Sequence, residues 1–599
     1  MNEISSYRDR YLTLIDEIVQ TTLKGQIRSK AQVYQLLLAQ VETGTGEIFE
    51  RALESRLSET QAQAQIADEL KQAKAQRRLR ALQTIQGEWQ RWQTETQASQ
   101  IVSTIATGIQ SSNDAIAAIV RALDPNQPQA IELPQLQQLA KTLSSNPDSS
   151  DIAIGLQHGI VAWQRLEDHL ISWMYDSRSI GFAGSTEQPN PWRTWAKQVD
   201  RPILRSLFEA LARNESPSEW ASHNPIDAGS FVELLVTMQR LQQGLVRWFD
   251  KQLYDAKSSA KLSIATYLAF AVIWSQLASG SSRIADDCFQ VTLQILRQFA
   301  QRDYFPLYGG VFASFSGESL RDALSYLDEP LRRAEGTQEK ARILTLLGYS
   351  ARIQGRLREA DAFHQQAIDL AREAGDRVCE VANFNHLSRA AVAQTDYESA
   401  IRYGQRAVVL SRQAGDRIGE ANALANLGYS EVLQAQQSEY PDPDRYESAI
   451  GYLEQGLKLA ERQADRASQA LCHSSLGIAY VVLERSELAI EQLGRGLQAA
   501  QFTGDLYLQG LNLAYLGEAY WQQKNSQQSI LTASLGMYLL EQSGSNRWRQ
   551  SAGLLTVWQG QLGEENFMKM LEQNRTAIVS VIGVDGYDHL PELIRQYQQ

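Results

Sequence analysis

Cysteine is scarce in this 599-residue chain: Cys288, Cys379 and Cys472 stand far apart and odd in number. No C-x-x-C pair occurs, so neither a zinc site nor a disulfide framework is signalled, and a reducing, cytoplasmic setting is expected. Basic charge is also in deficit. A formal net charge of -12 argues against general nucleic-acid binding, because neutralising phosphates takes a surplus of Lys and Arg. No G-x-x-x-x-G-K-[ST] loop, H-E-x-x-H, G-x-S-x-G or dinucleotide fingerprint is written, and the chain contains no Gly-Lys dipeptide. The seven histidines are scattered without ligand spacing. No catalytic residue, cofactor or metal is therefore expected. The first residues, "MNEISSYRDRYLTLIDEI", lack the apolar run of a secretory signal.

Proline is absent from residues 1–124, and nine of the fourteen fall between Pro125 and Pro225. The first segment is thus free to form long helices, and period-two strand patterns are scarce throughout. Leu79, Leu82, Ile85, Trp89 and Trp92 recur at steps of three or four, which places them on one helix face and predicts a helical bundle over 1–124. Residues 125–260 hold six of the twelve tryptophans, including Trp192 and Trp195, and read as a Trp-rich helical region. Those two tryptophans are core residues or a secondary partner contact. The run Lys71, Lys74, Arg77, Arg78 and Arg80 has no acid inside it; it is a solvated face or a dock for anionic lipid or an acidic partner. Residues 262–282 carry no charge and are long enough to span a bilayer. Eight of them are Ser, Thr, Gln or Gly, so a buried helix is expected, with peripheral membrane contact left open.

The strongest signal is repetition. Gly348, Ser388, Gly428, Gly477 and Gly517 are equivalent, at steps of 40, 40, 49 and 40, and a leucine precedes each. Twelve residues on come Ala360, Ala400, Ala489 and Ser529, with Ala449 displaced by the insertion at 437–445. Seven residues later follow Ala367, Ala407, Gly456, Gly496 and Gly536. Small residues two turns apart let a neighbouring helix approach closely. Gly-Asp pairs at 375–376, 415–416 and 504–505 close one helix and cap the next. Each unit is two antiparallel helices that bury their faces only by stacking.

This pattern, L-G on a first helix and two small residues on the second, resembles the tetratricopeptide repeat, in its 40-residue form, over about 336–545. The tyrosine of the family pattern three residues after the reference appears only as Tyr480 and Tyr520. The resemblance implies an all-α protein with a C-terminal superhelix whose first helices line a concave groove. Degenerate units are expected over 261–335, from Gly280, Ala285 and Thr292 and from Gly317 and Ala323, with a capping unit over 546–599 that ends in the turn "DGYDHL" and a final helix. The resemblance further implies that Arg342, Asn385, His386, Arg389, Asn422, Asn426, Tyr429, Tyr515, Glu518 and Trp521 face the groove. There, amides would hold an extended peptide by its backbone, and Arg342 with Arg389 would meet a carboxylate. The expected role is a non-catalytic scaffold, adaptor or assembly factor for a protein partner. Two rivals remain: a peptide-responsive signalling regulator, and an enzyme with a site in 152–260 around Asp176 or Arg178.

Overall fold

The computed structural model describes residues 2–42, 44–65, 69–112, 114–128, 130–172, 190–251, 256–281, 283–309, 337–438 and 442–598. Among these residues every regular element is a helix. The chain forms two compact units. The first comprises Met1–Leu123, Gln129–Val161 and Asp227–Val236; the second holds Asp124–Pro128, Ala162–Ile226 and Thr237–Gln599. The Trp-rich middle region is thereby divided between them.

In the first unit, helices Asn2–Leu23, Lys30–Gln40, Gly46–Gln63 and Glu69–Ser111 surround one apolar core. The helical stripe read from the last of these supplies its side: Leu82, Ile85 and Trp89 are buried, and Leu79 and Trp92 pack against them. Trp92 stacks on Trp89 with ring centroids 4.5 Å apart. Burial of these rings removes a large apolar area from water and outweighs the modest propensity of the surrounding polar sequence. Lys74, Arg77 and Arg80 are exposed, and Arg78 lies 3.6 Å from Asp16. The side chain of Lys71 lies outside the described residues.

The second unit opens on an aromatic cluster. Trp192 and Trp195 are 3% and 0% exposed and pack with Phe208. Trp192 also meets Phe270, and the Trp195 indole N–H donates to the His169 carbonyl at 3.3 Å. The expectation of a partner contact at this pair is corrected: both rings are core, held by apolar neighbours on several sides. Helix Ala256–Gly280 contains the uncharged stretch as far as Gly280. By length and composition it is the one helix among the described residues that is able to cross a membrane, yet 72% of its apolar window is buried inside the protein. Gly280 ends it where an added Cβ would lie 2.2 Å from the Ser218 carbonyl oxygen, so its small size serves helix packing. Helix Ala285–Ala300 packs on it. Gly317, Ala323, Asp176 and Arg178 lie outside the described residues.

Five helix pairs follow: Gln338–Ile353 with Leu357–Ala374, Arg377–Ala393 with Tyr397–Ala414, Arg417–Ala435 with Pro443–Arg462, Arg466–Val482 with Ser486–Thr503, and Leu506–Gln522 with Ser526–Gln542. They are called units one to five below. The Gly-Asp junctions behave as their chemistry dictates. Gly375, Gly415 and Gly504 adopt φ of 73°, 70° and 73°, which only glycine reaches without strain. Asp376, Asp416 and Asp505 then accept the amides of Cys379, Gly419 and Leu508 at 3.1, 2.9 and 3.0 Å.

The reference glycines are holes for knobs of the second helix. An added Cβ would lie 2.5 Å from the His364 ring at Gly348, 2.5 Å from Leu453 at Gly428 and 2.4 Å from Leu493 at Gly477. The later small residues face the neighbouring first helices. A Cβ on Gly496 would lie 3.0 Å from the Ser474 amide and 2.6 Å from Asn512 Oδ1, so the two stacked units meet at it. Junctions are also clasped: Arg372 reaches Glu380 at 2.7 Å and Arg412 reaches Glu420 at 2.8 Å, one period apart. At the next two junctions Gln469 and Gln509 bond the carbonyls of Ala460 and Ala500 instead, at 3.0 and 3.3 Å.

Helices Trp548–Leu562, Glu564–Gln573 and Arg575–Gln598 complete the chain. The final turn falls at Gly583, with φ 77° and ψ 174°, two residues before the Asp-Gly pair that had marked it. Gly586 is buried instead, with space for a Cβ limited by Ile582 and Tyr538.

Candidate functional site

Side chains of units three and five meet across the intervening unit four. The hydroxyls of Tyr429 and Tyr507 are 2.9 Å apart, and Gln436 Nε2 donates to the Tyr515 hydroxyl at 3.1 Å. Contacts that skip a unit occur only on the inside of a curve, so the first helices form the inner wall of the array. The wall has two parts, which differ in what covers them.

Over units one to three the wall holds a stretch of the same chain, Phe305–Gly309. His386 Nε2 lies 2.7 Å from the Leu307 carbonyl oxygen. That oxygen only accepts, so Nε2 carries the proton. Burial and the neighbouring His364 hold the His386 pKa well below the ordinary value, which leaves a neutral ring. The Tyr308 hydroxyl donates to Asp416 Oδ2, and it lies 3.4 Å from the Val378 carbonyl. Burial and the Asp416 carboxylate push the Tyr308 pKa well above 10, so the phenol keeps the proton it donates. Gly309, at φ 78°, fits against Tyr349, where a Cβ would come within 2.5 Å of the ring.

Asp416 thus has two tasks. Oδ1 caps its helix and Oδ2 faces the wall. The equivalent Asp376 uses its Oδ2 for Arg342 Nε at 2.7 Å and for Gln338 at 2.9 Å. The equivalent Asp465 has a buried Oδ2 with no hydrogen-bond partner. In units two, three and four the cap motif therefore leaves a second carboxylate oxygen, used differently each time.

Behind this part of the wall lies a buried polar chain. Asn383 donates to Thr345 Oγ1 and the Cys379 carbonyl, both at 2.8 Å, and its Oδ1 accepts from His364 Nδ1 at 2.8 Å. Burial lowers the His364 pKa to about 4, and its ring stacks on His386 at 5.0 Å. Burial likewise pushes the Cys379 thiol up to about 12, so it is inert rather than nucleophilic.

The ten residues assigned to the groove separate on this geometry. Arg342 is committed to Asp376 and to the Ala300 carbonyl at 2.8 Å, so the expectation that it joins Arg389 on a partner's carboxylate is corrected. Asn385 and Asn426 are both 1% exposed. Asn426 Nδ2 donates to the side chains of Asn385 and Asn422, each at 3.0 Å, and Asn385 Nδ2 lies 3.4 Å from the Gly419 carbonyl. These amides bind successive units together, since a buried amide left without a partner would cost about 1–3 kcal/mol. His386 holds Leu307, Tyr429 holds Tyr507, and Tyr515 holds Gln436. Arg389, Asn422, Glu518 and Trp521 keep part of their surface open to solvent. Asn422 also contacts Ser468 Oγ at 3.3 Å. Glu518 accepts from Gln550 at 3.2 Å, and burial raises its pKa to about 7. Trp521 stacks on Trp558 at 4.7 Å.

Sequence reasoning missed Tyr308, Tyr507 and Arg547. Arg547 follows unit five and shares the electrostatic environment of Tyr429, Tyr507, Tyr515 and Tyr397; burial opposes its charge, and the phenols outweigh that and raise its pKa. One signal was available for Tyr308. Gly419 occupies the third position of a helix, where glycine costs about 0.5–1 kcal/mol relative to alanine and the repeat pattern does not ask for it. An added Cβ there would lie 2.3 Å from Asp416 Oδ2 and 2.5 Å from the Tyr308 hydroxyl bonded to it.

The family model of the tetratricopeptide repeat matches residues 339–413. No curated protein matches the sequence. Among solved structures, the chain is similar to a Rap protein complexed with competence and sporulation factor, at 15% identity and TM-score 0.35, covering 61% of this chain and 98% of that one. It is also similar to a signal-transduction ATPase with numerous domains and a tetratricopeptide repeat sensor from Pyrococcus horikoshii, at 12% identity and TM-score 0.35, over 78% of this chain and 75% of that one. Aspartyl phosphate phosphatase F from Bacillus subtilis is similar at 14% identity and TM-score 0.33, over 60% and 88%. Residues 339–413 carry tetratricopeptide repeats, and the same caps and packing holes continue in stacked helix pairs to Gln542.

Proposed function

We propose that the protein is a non-catalytic scaffold, adaptor or assembly factor that holds a peptide or helix of a protein partner along the inner wall of its repeat array. The observation that supports this reading is the seating of Phe305–Gly309: the wall holds a turn of chain, in which the Gly309 N–H donates to the Pro306 carbonyl at 3.2 Å, through a main-chain carbonyl and a side-chain hydroxyl. Arg389, Asn422, Glu518 and Trp521 are the residues assigned to partner contact, because they line the wall and retain open surface. The protein is placed in the cytoplasm, where its three buried free thiols stay reduced. Its partner is taken to be protein and not nucleic acid, on the charge balance.

The test is affinity capture from native extract with the wild type and an Arg389→Ala/Asn422→Ala variant. Loss of partners is expected from a variant that stays folded, its melting transition lowered only by the lost Asn422 bonds to Asn426 and Ser468. Equal recovery by both proteins would remove the wall from the reading. A second reading, a regulator that changes shape on binding peptide, is favoured by the internal occupant of the wall. Small-angle scattering with and without the captured partner's peptide separates the two, since a static scaffold keeps its radius of gyration.

A further inference from the structure

We propose that Phe305–Gly309 is an internal ligand of the inner wall, and that a partner segment gains units one to three only by displacing it, offering a tyrosine to Asp416 and a main-chain carbonyl to His386. The inference rests on the partner-binding reading above and adds to it both a regulation and a recognition rule.

Three features mark the stretch as a seated ligand and not a simple connection. Its grips are spread over three units: Tyr349 in unit one, His386 and the Val378 carbonyl in unit two, and Asp416 in unit three. They take both the main chain and a side chain of a turn, in which the Gly309 N–H donates to the Pro306 carbonyl at 3.2 Å and leaves the Leu307 carbonyl and the Tyr308 phenol to the wall. Two glycines then make room for it. Gly309 takes a left-handed backbone to pass Tyr349, and Gly419 gives up helix propensity to leave room for the Asp416 carboxylate and the Tyr308 phenol bonded to it. A connection that merely crossed the wall would need neither. The pocket is also chemically selective. Asp416 Oδ2 is a carboxylate oxygen already oriented by capping, so it seeks a donor, and the missing Cβ at 419 leaves depth for a ring that carries one.

Because the stretch is covalently attached, it competes at an effective concentration of about millimolar, and an added peptide binds in proportion to the fraction of molecules whose wall is open. The probe is a fluorescein-labelled peptide of residues 302–309, RDYFPLYG, added to the full-length protein and followed by anisotropy. Wild type should bind it weakly. Tyr308→Ala should bind it about tenfold tighter, because the vacated phenol pocket accepts the tyrosine of the peptide. Adding Gly419→Ala to Tyr308→Ala should abolish that gain, since the new methyl takes the space of both Asp416 Oδ2 and the phenol, for internal and added ligand alike. Tyr308→Phe keeps the ring and loses the donor, and should give a gain of a few fold; it serves if Tyr308→Ala proves unstable. Folded Tyr308 variants that bind the peptide no tighter than wild type overturn the proposal. If Arg389→Ala/Asn422→Ala still loses its partners in that case, only the internal ligand fails. If neither experiment shows an effect, the wall itself is not a binding surface.

Discussion

Replacing one glycine by alanine should destabilise the array, and the same change seventeen residues later should stabilise it. At Gly477 the new Cβ would lie 2.4 Å from Leu493 Cγ and 3.2 Å from the Leu493 amide, and Leu493 is fully buried. Overpacking of that kind costs about 1–3 kcal/mol. The helix propensity gained from alanine returns about 1 kcal/mol, so a net loss of up to about 2 kcal/mol is expected. Gly494 sits on the exposed face of the next helix with nothing within 4 Å of a new Cβ, so Gly494→Ala should gain about 0.5–1 kcal/mol. Leu493→Ala empties the knob and alone costs about 2–5 kcal/mol. In that background the overpacking should vanish and Gly477→Ala should become stabilising by about 1 kcal/mol, a coupling of about 1–3 kcal/mol. Urea denaturation of the full chain, followed through the transition of the repeats, measures all four proteins. Equal responses at the two glycines, or additive effects in the double variant, would refute the knob-and-hole account of unit four.

The clasp of Glu420 with Arg412 and Arg417 should be pH-dependent. Burial opposes ionisation, but the two guanidinium hydrogen bonds outweigh it and hold the Glu420 pKa low. Its stabilisation is therefore present above the unfolded carboxylate value of about 4.3 and lost as pH falls through the folded one. Glu420→Gln should lower the melting temperature at pH 7, by the equivalent of about 1 kcal/mol because both arginines are more than half exposed. The gap to wild type should close by pH 3; a gap independent of pH would show that the charges do not matter. Turns inside the units offer a backbone test. Thr395, Glu484 and Lys524 adopt φ of 61°, 58° and 60° where unit one has Gly355 at 75°. Glu484→Gly should be neutral to stabilising by up to about 1 kcal/mol, and Gly355→Ala should cost about 1 kcal/mol, with no neighbour within 4 Å to blame. Thermal melts decide this, and the same sign at both sites would contradict it.

Much of the fold was legible because its rules act over short distances. The Gly-Asp junctions predicted left-handed closures and aspartate caps, and the structure has both at three sites. The Leu79–Trp92 stripe marked the core side of its helix because a 3.6-residue period needs no partner to be read. The groove was less legible. Asn385, Asn426 and Arg342 look identical on paper to free recognition groups, yet each is engaged by residues 34 to 42 positions away. Gly419 was visible as an unexplained helical glycine, but its cause is the Asp416 carboxylate turned toward Tyr308, a residue that no repeat pattern reaches.

By itself, then, the order of residues determined the helix pairs, their caps, their contact holes and the need to stack, because these follow from turn chemistry and side-chain size between near neighbours. Only the tertiary structure decided what the inner wall presents. Curvature brings unit three against unit five and lays Phe305–Gly309 across units one to three, and such meetings depend on small rotations summed over many units rather than on any local spacing.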